Sequence, residues 1–175
     1  MEARHTLVVG GSGMLAGLCR SLSAEGRQVT VVGRDQGKLA RVARGDLRVH
    51  PLSVDYEEIG TLAAALEGAV GTRGPIALAV CWIRSWAPQS LLTAADAVAP
   101  GGRLFHVLGS QGSHGAAAAT AELRQRNGLQ YRAVHLGAVA GAESRRWLTD
   151  DEISAGVYSA VLADQPSYLV GTVAP

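Results

Sequence analysis

The sequence predicts an α/β fold: a doubly wound parallel sheet of about seven strands with helices on both faces. Three observations predict it. Short apolar or β-branched runs alternate along the chain with segments of helical period. Glycine-rich turns follow the first, second and fifth of those runs directly. The fourth run, PIALAVCWI from Pro75 to Ile83, is apolar without interruption, as a central strand covered on both faces requires. Right-handed crossovers then give a strand order of 3-2-1-4-5-6-7.

The first strand, Leu7 to Val9, runs into Gly10, Gly11, Ser12, Gly13, Met14 and Leu15, with Gly17 one turn further on. A strand, a glycine turn and a helix in that order make an anion site. Unpaired N–H groups point outward at the helix start, the helix dipole adds positive charge, and glycines let a pyrophosphate approach the main chain. Met14, Leu15 and Leu18 supply the face that packs this helix on its sheet. The unit is that of a Rossmann-type dinucleotide fold.

The second strand, Gln28 to Val32, ends at Gly33-Arg34-Asp35, where such a fold meets the adenosine ribose. A carboxylate as the last strand residue would accept from a ribose 2′-hydroxyl. Here that place is Gly33, and the Arg34 guanidinium beside it suits a 2′-phosphate by charge and by its paired donors. The expected cofactor is therefore NADP(H), with NAD(H) second. Asp35 is read as the cap of a helix from Gln36 to Ala43, and Lys38 as a second nearby positive charge. The third strand, Leu47 to Ser53, leads to Asp55. This residue has two readings, the cap of a helix from Glu57 to Leu66 or an acceptor for an adenine amino group.

The fourth strand opens on Arg84, Ser85 and Trp86 at the carboxyl edge, where open α/β sheets bind ligands. Trp82 and Trp86 are placed to flank a nicotinamide ring there, or to be core. A helix from Gln89 to Val98 and a turn at Pro100-Gly101-Gly102 precede strand five, Arg103 to Leu108. That strand delivers Gly109 to Gly115, a loop of glycines and polar side chains, to the same edge. His114, with an ordinary pKa near neutrality, is the candidate proton donor. Ser110 is the candidate for polarising a carbonyl, and Arg84 for anchoring an acidic substrate. A helix from Ala116 to Arg126, a strand from Leu129 to Leu136 and a loop from Ala138 to Trp147 follow. Thr149 to Glu152 forms a capping box for a helix ending near Asp164, and Tyr168 to Val173 is the last strand.

Composition narrows the function classes. At 175 residues, 47% hydrophobic and 18% charged, the chain has the makings of one globular domain. A formal charge of +1 gives no reason to expect nucleic acid or an anionic membrane as partner. The opening residues lack a signal-peptide core and no run reaches membrane-spanning length, so a cytoplasmic location is expected. Cys19 and Cys81 lack metal-ligand spacing and are read as core; no metal is expected.

With these residues in view, the chain resembles the short-chain dehydrogenase/reductase superfamily over nearly its whole length. GGSGMLAG matches the nucleotide loop, VVGR an NADP-type second strand, VDY the segment after strand three and GRLFHVLGS strand five. SRRWLTDDEISAGV resembles a compact bacterial subgroup. The resemblance implies a single NAD(P)-binding domain over residues 1–175, an oxidoreductase acting on a small molecule, and Ser110 at the place of the family's catalytic serine. It also implies a Tyr-x-x-x-Lys pair on the helix after strand five, and that helix, AAAATAELRQR, has no tyrosine. The one lysine of the chain is Lys38. Tyr131 and His135 have related spacing but fall on strand six, without helical geometry. The expectation is an NADP(H)-binding protein without the family's usual acid–base pair. The alternative is a non-catalytic sensor, scaffold or partner subunit. Related proteins pair through the helix corresponding to 116–126, so a homo-oligomer is a further expectation.

Overall fold

A computed structural model describes residues 4–109, 117–141 and 144–172. These residues form β1 (His5–Val9), α1 (Ala16–Ala24), β2 (Gln28–Gly33), α2 (Gln36–Ala43), β3 (Val49–Ser53), α3 (Ile59–Arg73), β4 (Ile76–Cys81) and α4 (Pro88–Asp96). After them come β5 (Val98–Leu108), α5 (Ala117–Gln125), β6 (Gln130–Leu136), β7 (Ala138–Ala140), β8 (Arg145–Trp147), α6 (Asp150–Ala163) and β9 (Ser167–Val170). Seven strands make one sheet in the order β3-β2-β1-β4-β5-β6-β9, with every pairing parallel. This is the predicted order, with β9 as the seventh strand.

The alternation of side chains along each strand separates two cores. Leu78 and Val80 of β4 face α1, α2 and α6 and pack with Leu15, Leu18, Val31 and Val157. Ala79 and Cys81 face the other way and pack with Leu62, Leu66, Leu91 and Leu123 of α3, α4 and α5. Both cysteines are fully buried, and burial pushes each thiol up to about 12, so they act as small apolar groups. Among the described residues, no helix is long and apolar enough to cross a membrane.

The largest differences from the sequence reading are in three places, besides shifted ends such as α4, which stops at Asp96 with Val98 opening β5. The third helix starts at Ile59, not Glu57, and runs past Leu66 to Arg73 because Ala69 is buried; Gly74, at φ +85°, ends it. Pro100-Gly101-Gly102 is not a turn between elements. It lies inside β5, where the register jumps from Ile76 opposite Val98 to Leu78 opposite Arg103. The loop after β6 contains an antiparallel hairpin, with Ala138 opposite Trp147 and Ala140 opposite Arg145. Its strands are largely exposed and show no apolar alternation, which is the signal sequence reading relies on.

Candidate functional site

Each glycine of the first turn has a separate task. Gly10 sits at φ +78° and donates its N–H to the Val32 carbonyl at 3.1 Å. A Cβ there would lie 2.6 Å from the Trp82 carbonyl oxygen. A Cβ on Gly11 would meet Val31 Cγ1 at 2.8 Å and Val8 Cγ1 at 2.9 Å, so this glycine lets the turn lie close on the sheet. Gly13 is different: nothing lies within 4 Å of the place its Cβ would take. It is the open floor of the turn.

The helix above it starts without a cap. Leu15 is the N-cap residue, no side chain caps α1, and its first turn holds no acidic residue. Among the described residues, the N–H groups of Ser12, Gly13, Met14 and Leu15 have no protein acceptor. Unpartnered N–H groups at the positive end of a helix dipole are a ready anion site. The Leu15 side chain is fully buried and Met14 packs against the same core, so these two hold the turn from below and offer only their main chain above.

Ser154 of α6, which sequence reading missed, fixes this turn from the side. Its hydroxyl donates to the Met14 carbonyl at 2.7 Å. A Cβ on Gly17 would stand 2.9 Å from Ser154 Cβ, so Gly17 serves the contact between α1 and α6. The glycine itself was the one sequence signal that something approaches closely there.

The tip of β2 adjoins the same turn. Gly33 ends the strand as read, and a Cβ on it would lie 3.0 Å from Ser12 Oγ. Arg34 is exposed, with Nη1 3.7 Å from Asp55 Oδ2. Asp35 caps α2, accepting from the Lys38 N–H at 2.8 Å, and that bond lowers its carboxyl pKa. The cap reading of Asp55 needs correction. The N-cap of α3 is Glu58, and Asp55 instead closes a turn by accepting from the Glu57 N–H at 3.0 Å. Its other carboxylate oxygen faces Arg34. A groove of about 250 Å³ opens between Ser12 and Gly13, Arg20 of α1, Lys38 and Arg41 of α2, and the acidic start of α6. Four arginines and lysines line it, Arg44 being the fourth.

At the tips of β4 and β5 the two tryptophans part company. Trp82 continues β4, donating its N–H to the Val9 carbonyl at 3.0 Å, and packs half-buried on the α1 side of the sheet. Trp86 is exposed on the next loop, with the Arg84 guanidinium 5.3 Å from its ring centre and Glu57 accepting from its Nε1 at 3.4 Å. Tyr131 is buried in β6, 2.9 Å from His106 Nδ1, and is no part of a helical pair with His135. Ser110 and His114 lie outside the described residues. A larger cavity, about 530 Å³, lies at the opposite end of the sheet, where Arg27 pairs with Glu25, Arg103 pairs with Asp164, and Arg4 donates to the Glu25 main-chain carbonyl. The open main-chain donors are at the carboxyl edge, so the candidate site is there.

Solved structures match this architecture along nearly its whole length. A short-chain dehydrogenase/reductase from Serratia marcescens superposes with a TM-score of 0.73 at 18% identity, covering 98% of each chain. The fold is that of the short-chain dehydrogenases/reductases. One from Burkholderia phymatum, in complex with NAD, matches at a TM-score of 0.74 and 11% identity, over 96% of this chain and 89% of that one. A Burkholderia cenocepacia short-chain dehydrogenase in complex with NADP matches at 0.69 and 16%, over 98% and 97%. No protein-family model matches the sequence, and no curated protein does. Within this short-chain dehydrogenase/reductase fold, the glycine turn, Arg34 and Asp55 meet at the carboxyl edge. The helix after β5 is Ala117–Gln125, with no tyrosine in it.

Proposed function

We propose that this chain is a short-chain dehydrogenase/reductase-type protein that binds a nicotinamide adenine dinucleotide, NADP(H) in preference to NAD(H). The observation that carries the reading is the open floor at Gly13 beneath an uncapped helix start, next to a β2 tip that ends in Gly33 and Arg34. The residues suit the adenosine half. The main-chain donors of Ser12 to Leu15 hold the pyrophosphate. Gly10 and Gly11 set the turn that presents them. Arg34 holds the 2′-phosphate, and Asp55, beside it, accepts from the adenine amino group. At Gly33 a larger acidic side chain would press on Ser12, which disfavours the usual 2′-hydroxyl acceptor. Titration calorimetry tests the reading: NADP⁺ should bind about tenfold or more tightly than NAD⁺. No heat from either on folded protein would overturn it.

When bound, the nicotinamide ring supplies or accepts a hydride; the proton must come from the protein. The family's tyrosine is missing from α5, and the single lysine, Lys38, is on α2. This supports a sensor, scaffold or partner subunit that reads the coenzyme without turning it over. NADPH absorbance should stay at background with a panel of small carbonyl compounds. Steady consumption would favour the second reading, an oxidoreductase in which Ser110 and His114 act. The feature supporting that one is that Ser110 and His114 follow Gly109 in sequence, just after β5 ends at the carboxyl edge. Ser110→Ala and His114→Ala would then each lower turnover.

A further inference from the structure

The two halves of a dinucleotide meet very different surfaces here. The order β2-β1-β4-β5 puts the adenosine side over β2, at Arg34 and Asp55, and the pyrophosphate over β1, at the glycine turn. The other half must run on over β4 toward β5. The residue just past the end of β4 is Trp82. A Cβ on Gly10, at the tip of β1, would meet Trp82 Cβ and Cδ1 at 3.2 Å each. A Cβ on Gly109, at the tip of β5, would meet Trp82 Cη2 at 3.2 Å and Cζ3 at 3.8 Å. The five-membered edge of the indole thus adjoins one flanking strand and the six-membered edge adjoins the other. Strands two places apart lie roughly 10 Å from each other, and the ring occupies that interval. Two missing side chains, at Gly10 and Gly109, form its seat. Core packing below and the bond from the Trp82 N–H to Val9 fix its root. Swinging the ring out would expose apolar surface to water.

We infer that Trp82 fills the path of the nicotinamide riboside half, so that the site is complete with an adenosine 5′-diphosphate, carrying a 2′-phosphate where Arg34 reads one. The inference rests on the nucleotide reading above and narrows its ligand class to the adenosine half shared by coenzymes and their fragments. The recognition elements, the α1 start, Arg34 and Asp55, all address that half. The ring beyond the pyrophosphate meets an indole where it would need space.

Calorimetry on the full chain with two ligand pairs decides it: NADP⁺ against adenosine 2′-phosphate 5′-diphosphate, and NAD⁺ against ADP. Each whole coenzyme should bind within about threefold of its own half in the unaltered protein. Trp82→Ala should tighten the whole coenzymes about tenfold and leave the halves unchanged, and Trp82→Leu, which keeps an apolar group on the core, should do so in part. A whole coenzyme preferred about tenfold or more by the unaltered protein would overturn the inference while leaving the dinucleotide reading in place. So would weaker coenzyme binding by Trp82→Ala, which would mean that the indole holds the nicotinamide. Failure of all four ligands to bind would overturn both.

Discussion

The hydroxyl of Ser154 donates to the main-chain carbonyl of Met14 at 2.7 Å, joining the last helix to the first turn across 140 positions of sequence. The bond holds the glycine turn against α6, which also packs closely over Gly17. Ser154→Ala removes one largely buried hydrogen bond and should cost about 1 kcal/mol in chemical denaturation. Gly17→Val forces a branched side chain into Ser154 and should cost about 1–3 kcal/mol, with weaker nucleotide binding as the turn shifts. Equal effects of the two variants on stability would contradict the packing role given to Gly17.

Arg34 and Asp55 form an exposed pair, worth little to the fold. Arg34→Ala should therefore leave the unfolding midpoint unchanged. Its effect should be confined to the 2′-phosphate: affinity for NADP⁺ falls about ten- to hundredfold, as expected for a lost charged hydrogen bond, and NAD⁺ is unaffected. Competitive titration of both coenzymes against the variant checks the difference.

His106 is buried beside Tyr131, and burial, with His135 nearby as a lesser cause, pushes its pKa down from 6.5 to about 4. The folded protein keeps this ring neutral where the unfolded chain protonates it. Stability is thus fully present above about pH 6.5, is lost as pH falls toward 4, and changes no further from this group below that. The loss should be about 3 kcal/mol over that window. His5, lowered by its own burial between Gly74 and Thr30, acts in the same direction. Urea unfolding from pH 7 to 4 should show this slope, and His106→Gln should flatten it without abolishing it.

The start of α6 should lose stability toward acid in the same direction, but in a lower pH window. Thr149 and Glu152 exchange hydrogen bonds at 3.2 and 2.8 Å, and Arg146 meets the Glu152 carboxylate at 2.7 Å. The Arg146 bond, followed by the Thr149 N–H, lowers Glu152 to about 2. Its contribution is present above the ordinary value of 4.5 and is lost only as pH falls through about 2. Thr149→Ala should cost about 1 kcal/mol at neutral pH. Amide protection factors across residues 150–154 should fall in that variant and hold steady down to about pH 4.5 in the unaltered chain.

Much of the candidate site was legible because its signals are local. The glycine turn shows itself as strand, glycines and helix in a few consecutive residues, and Gly33-Arg34 follows one βαβ unit later. Period and capping identify β1, β2, β4 and α6 for the same reason: the backbone's hydrogen bonds and the side-chain alternation are settled by near neighbours. The hairpin β7–β8 and the strand lying through Pro100-Gly101-Gly102 were not legible. The hairpin pairs near neighbours, Ala138 with Trp147 and Ala140 with Arg145, but its residues are largely exposed and carry no apolar alternation. The strand through 100–102 takes its partners from β4, remote in sequence.

By itself, then, the sequence determined the α/β alternation, the order of the sheet, the glycine turn after β1 and that Lys38 is the one lysine. Tertiary structure alone decided that Asp55 faces Arg34 instead of capping a helix, that Ser154 grips the turn, and that the Trp82 indole lies across two neighbouring strand tips. Each of these depends on which strand ends stand side by side. Burial and crossover geometry set that only once the whole sheet has closed.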